Sequence, residues 1–169
     1  MFKKGLFLGE IAIIVLLAST PLFVSFPYRV NIFLSWEGAY RLSQGQIPFK
    51  DFGLPLGGMY WVVPAIFFKI FGVKMVTLVK AQVFLNIIAG LSFLSILKSF
   101  KVSSSIRFVS VLVFCISYSF FNFWPWYNNS VIIYELVALA FLARYLNDDY
   151  KRFPLLLLFL SALFTVFSF

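Results

Sequence analysis

Residues 31–55, NIFLSWEGAYRLSQGQIPFKDFGLP, gather two carboxylates and two cations in a chain that is otherwise short of charge. Glu37 and Asp51 are the acids, and Arg41 and Lys50 are the cations. A carboxylate takes a proton from a hydroxyl when the two lie within hydrogen-bond reach, about 2.6–3.2 Å. A guanidinium holds a phosphate through paired N–H donors. Glu37 and Arg41 are one helical turn apart, on nearly the same face, so together they can meet a hydroxyl and a phosphate. The chain contains no His, which removes imidazole-based triads and zinc sites built on imidazole. Its single Cys115 rules out an intrachain disulfide.

The same residues also have plainer uses. Ser35 fits an N-cap, which would place Glu37 in a first turn, where a carboxylate favours the helix dipole by about 0.3–1 kcal/mol. Asp51 beside Lys50 fits a solvated pair in a turn. Lys80 and Glu135 fall at similar depth inside apolar runs, so they are candidates for function or for pairing with each other. Glu10, close to the basic start Lys3-Lys4, reads as a structural group that snorkels or pairs near an interface.

The elements that must carry these groups are those of a membrane protein. The 169 residues are 62% hydrophobic, 21% aromatic and 12% charged, with mean hydropathy +0.98; soluble domains are nearer half apolar and a quarter charged. The net charge of +8 sits at the ends of apolar runs, where it sets orientation; it is not a nucleic-acid signal. The fold class is all-α, a polytopic transmembrane protein of about five spans: 5–26, 76–97, 106–122, 130–146 and 153–169. The first run reads as an uncleaved signal anchor with a cytoplasmic N-terminus. Residues 28–75 form one long extracytoplasmic loop, with a short amphipathic helix stopped at Gly45 and an interfacial or re-entrant helix over 59–71. Lys98, Lys101, Arg107, Arg144, Lys151 and Arg152 belong to inner turns, and Trp124, Trp126 and Tyr127 anchor an outer one. Asn128-Asn129-Ser130 reads as an interfacial polar turn. The last run ends without a basic, aromatic or polar cap, so the chain is expected to be the front part of a longer protein.

At Glu37-Gly38-Ala39-Tyr40, then Gly45-Gln46-Ile47-Pro48-Phe49-Lys50-Asp51-Phe52, then Phe68-Lys69-Ile70-Phe71-Gly72, the chain resembles the GT-C superfamily of polytopic glycosyltransferases. That superfamily includes protein mannosyltransferases and aminoarabinose transferases. Its first extracytoplasmic loop commonly reads D-E-G-x-Y, then G-x-x-P-Y-x-D-F, closing on F-K-x-F-G. The match covers about 40 residues directly. It departs at Trp36, which stands where the family often has the acidic residue usually assigned the general base.

The resemblance implies transfer of a sugar from a polyprenyl-phosphate donor to an acceptor hydroxyl at the outer leaflet, usually with inversion. Glu37 or Asp51 would be the catalytic carboxylate; Arg41, Lys69, Lys74 and Lys80 are the candidate phosphate-binding cations. Glu135 is a possible intramembrane partner. No metal ligands and no cofactor are assigned. The expected partners are the lipid-linked donor and membrane lipids, without nucleic acid, in a bacterial inner membrane. The competing expectation is a non-catalytic membrane subunit of a transporter or flippase whose loop binds lipid head groups.

Overall fold

A computed structural model describes residues 2–24, 30–53, 57–119, 123–147 and 153–168. Among the described residues there are seven α-helices: α1 (Phe2–Ala18), α2 (Ile32–Ser43), α3 (Val62–Phe71), α4 (Met75–Ser99), α5 (Ser104–Ser119), α6 (Tyr127–Asn147) and α7 (Pro154–Phe167). No strand occurs among them; Pro48 and Phe52 make one isolated bridge. α1 runs into a 3-10 turn, Thr20–Leu22, with Pro21 in it, and a second such turn, Met59–Trp61, leads into α3.

Proline and glycine set several boundaries. Pro64 falls in the first turn of α3, where its missing N–H leaves no bond unmade, and Gly72 closes that helix at φ 81°. Pro154 opens α7 in the same way. α4 and α6, at 25 and 21 residues, are long and apolar enough to cross a membrane. α1, α5 and α7 have 17, 16 and 14 residues, shorter than the roughly 20 that a full span needs. The expected spans thus begin and end differently from the observed helices. Residues 26, 122 and 169, the expected ends of three spans, lie outside the described residues, as do Lys151 and Arg152 of the expected last inner turn.

Packing fixes how the helices run. Ile14 of α1 lies against Gly90 of α4, where an added Cβ would meet Ile14 Cγ2 at 2.8 Å. Ile14, Leu94, Val111 and Cys115 form one core; Leu85, Ala89 and Ile133 join α4 to α6 in another. Glu10 is fully buried. It accepts from Arg107 Nε at 2.7 Å and Nη2 at 3.3 Å. The group expected to pair near Lys4 therefore bridges α1 to α5. A buried carboxylate needs a partner with several donors, and a guanidinium one helix away supplies them.

At the opposite end of α4, α2 and α3 form a cap. Their shared core holds Ile32, Ala39, Tyr60, Trp61, Phe68 and Leu78 of α4. Ser35 corrects the sequence reading here. The helix starts at Ile32 after Asn31, and Ser35 is not a cap. It is buried inside α2 and donates to the carbonyl of Pro125, tying the cap to the segment before α6. Glu37 consequently lies in the second turn, beyond the reach of the N-terminal dipole.

Candidate functional site

The Glu37–Arg41 pair forms as the four-residue spacing predicts. Arg41 Nη2 and Nε donate to Glu37 Oε1 at 2.7 and 3.0 Å. Both bonds fall on one oxygen, so among the described residues Oε2 has no protein partner. Arg41 is also held over the Phe52 ring, 5.3 Å from its centroid, and its Nη1 reaches Gln46 Oε1 at 3.4 Å. The end of α2 holds this arrangement. Gly45 has φ 84°, Gly45 N–H donates to Leu42 O at 3.0 Å, and Gln46 N–H donates to Arg41 O at 3.1 Å. That is a Schellman motif, and it needs glycine at the left-handed position.

Asp51 does a different job. Its Oδ2 accepts from Ile47 N–H at 2.8 Å, and its own N–H donates to Ile47 O at 2.9 Å. Phe49 N–H donates to Phe52 O at 2.8 Å, closing the same loop. Asp51 thus shapes the loop that delivers Phe52 to Arg41. The cleft beneath the pair, about 110 Å³, is lined by Leu34, Glu37, Gly38, Arg41, Phe52 and Gly53. It is small beside the roughly 300–1,000 Å³ of sites that enclose a drug-sized ligand. It takes a functional group, not a whole sugar.

Trp61 packs behind two of the lining residues, Gly38 and Phe52. Its side chain is 1% exposed and lies on Gly38. Its indole N–H donates to Leu34 O at 3.1 Å. Trp36, at the position where the resembled family has its first acid, does not line the cleft and packs edge-on to Phe68 at 5.0 Å between centroids.

The remaining expected cations stand elsewhere. Lys69 is exposed in the last turn of α3, and Lys74 is exposed at the start of α4. Lys80 places its ammonium 4.9 Å from the centroid of the Phe71 ring. Among the described residues no ion pair joins it to Glu135, which is exposed on α6. Of the two readings open for Lys80 and Glu135, pairing with each other is not what the described residues show: the aromatic end of α3 receives the ammonium. None of the three lysines lines the cleft. Among the described residues, no three His, Cys, Asp or Glu side chains come together as a metal site.

Sequence reasoning missed a second cavity nearby, about 240 Å³, lined by Met59, Tyr60, Tyr127, Ser130, Tyr134 and Phe167 among others. Tyr134 donates to Met59 O at 3.0 Å. The hydroxyls of Tyr60 and Ser130 are buried and have no hydrogen-bond partner among the described residues. Burial pushes the Tyr60 hydroxyl up to about 12; the Trp61 indole pulls the other way, but its N–H is committed to Leu34. The only signal for this cavity was the polar run at 128–130, which reads equally well as a surface turn. Compared with known proteins, the chain matches no family model, no curated protein and no solved structure.

Proposed function

We propose that this chain is, or is the N-terminal part of, an integral membrane glycosyltransferase that moves a sugar from a polyprenyl-phosphate donor to an acceptor hydroxyl. In this reading the N-terminus is cytoplasmic, residues 28–75 face outward, and the host membrane is a bacterial inner membrane. The observation that carries it is the Glu37–Arg41 pair, whose free Oε2 and anchored guanidinium border one small cleft. Oε2 takes the acceptor's proton, and Arg41 offers its remaining N–H groups to the departing phosphate. Asp51 contributes through loop geometry, because its carboxylate is engaged by Ile47. Two apolar helices of spanning length support the membrane part of the reading.

The test is sugar transfer from a polyprenyl-phosphate donor by the complete reading frame. Glu37→Gln should cut turnover by roughly 10²–10⁴-fold, the usual worth of a general base. Asp51→Asn should cost less. Wild-type turnover in Glu37→Gln removes this residue from the mechanism. The second reading, a lipid-binding membrane subunit, is favoured by the self-neutralising Glu37–Arg41 pair and by Trp36 in the acidic position. It predicts head-group binding without transfer.

A further inference from the structure

The end of the bundle opposite the cleft holds a groove between α1, α4 and α6. Its mouth, about 410 Å³, is lined by Phe7, Ile11, Leu94, Lys98 and Ser99 with Arg144. A deeper part, about 270 Å³, runs between α4 and α6 along Ile88, Leu91, Val137 and Phe141. Leu91, Ser95 and Arg144 line both parts, which makes them one continuous groove. Lys98 and Arg144 sit in the last turns of their helices. The Lys98 ammonium lies 3.8 Å from the Phe7 ring centroid, which holds it at the mouth. Among the described residues that line the two parts, the charged ones are Lys98 and Arg144. Glu10, on the same helix as Phe7, is committed to Arg107.

We propose that this groove binds an anionic phospholipid, with its phosphate at Lys98 and Arg144 and the start of an acyl chain along Leu91, Ile88, Val137 and Phe141. The groove offers cations at one end and hydrocarbon at the other, with Ser95 where they meet. A free phosphate would leave the apolar part uncovered, and a zwitterionic lipid would bring its own cation to a cationic mouth. The site depends on the membrane placement of the chain and not on the transferase reading.

The experiment uses the full chain in detergent micelles and measures binding of phosphatidylglycerol and of phosphatidylcholine with the same acyl chains by native mass spectrometry. Inorganic phosphate is the competing probe. The expected result is preferential retention of phosphatidylglycerol. The double change Lys98→Gln with Arg144→Gln should weaken it by roughly 30-fold, from about 1 kcal/mol per cation near a lipid surface. Lys101→Gln, which removes a charge outside the groove, should leave it unchanged. Equal retention of the two lipids overturns the proposal. So does full displacement by inorganic phosphate, or a loss in Lys101→Gln as large as in the double variant. The wild-type lipid comparison decides even where the double variant does not fold. Loss of sugar transfer with lipid preference intact would sink the transferase reading and leave this site standing.

Discussion

Gly38→Ala is the most informative single change in the cap. A Cβ built at this position falls inside the Trp61 indole, against Cε2, Cδ2 and Nε1. These atoms belong to a rigid ring that is 1% exposed, so the clash is not relieved by bending a flexible tip. Overpacking of this kind costs about 1–3 kcal/mol. If the ring shifts, the Trp61 N–H leaves Leu34 O, and a buried orphaned donor costs about 1–3 kcal/mol more. Alanine returns at most about 1 kcal/mol of helix propensity over glycine. The expected net loss is roughly 1–5 kcal/mol. Thermal unfolding in micelles, read by tryptophan emission, measures it. Adding Trp61→Phe should recover part of the loss, because a smaller ring leaves room for the methyl group. Unchanged stability together with unchanged emission in Gly38→Ala would refute the claim that Trp61 rests on Gly38.

Three further outcomes follow from the packing. Glu10→Gln or Arg107→Gln alone should cost about 3–5 kcal/mol by stranding a buried charge, and the double change should cost less than the sum of the singles; strict additivity in a double-mutant cycle would argue against the pair. Lys80→Gln and Glu135→Gln should instead be additive within about 0.5 kcal/mol, because Lys80 rests on Phe71. Burial pushes the Tyr60 hydroxyl up from its ordinary 10.0 to about 12, so folding favours its neutral form. Its contribution is complete below pH 10 and is lost as pH rises through about 12. Alkaline unfolding profiles should therefore flatten over that window in Tyr60→Phe, and an identical slope would remove Tyr60 as the cause.

The sequence displayed what depends on local spacing. Arg41 follows Glu37 by one turn, Gly45 stops the helix and Pro154 starts one, and each is seen where the pattern placed it. Contacts between distant segments were not legible. Ser35 is of a residue type that caps helices, yet Pro125, 90 residues on, claims its hydroxyl. Lys80 and Glu135 match in depth, but depth says nothing about azimuth around the helix axis, and Phe71 is the nearer partner. Gln82 and Asn86, both buried in α4, bond to each other at 2.8 Å in an i, i+4 pair that a hydropathy reading smooths away.

The same difference bears on how the Glu37–Arg41 cleft is built. A motif match weights Glu37 and treats Gly38, Trp36 and Ser35 as spacers. The contacts reverse that weighting. Gly38 admits the Trp61 ring beneath the helix, Trp36 anchors the helix to Phe68, and Ser35 ties it to the start of α6. These three points fix α2 against rotation about its own axis, because they lie on its buried side. Glu37 then faces out, with a side chain 59% exposed, and Arg41 follows it one turn on. Position 36 packs on Phe68 and is not among the residues that line the cleft. Within this fold Trp36 is thus one of three residues that position Glu37, and Glu37 is the acid among the described residues that line the cleft.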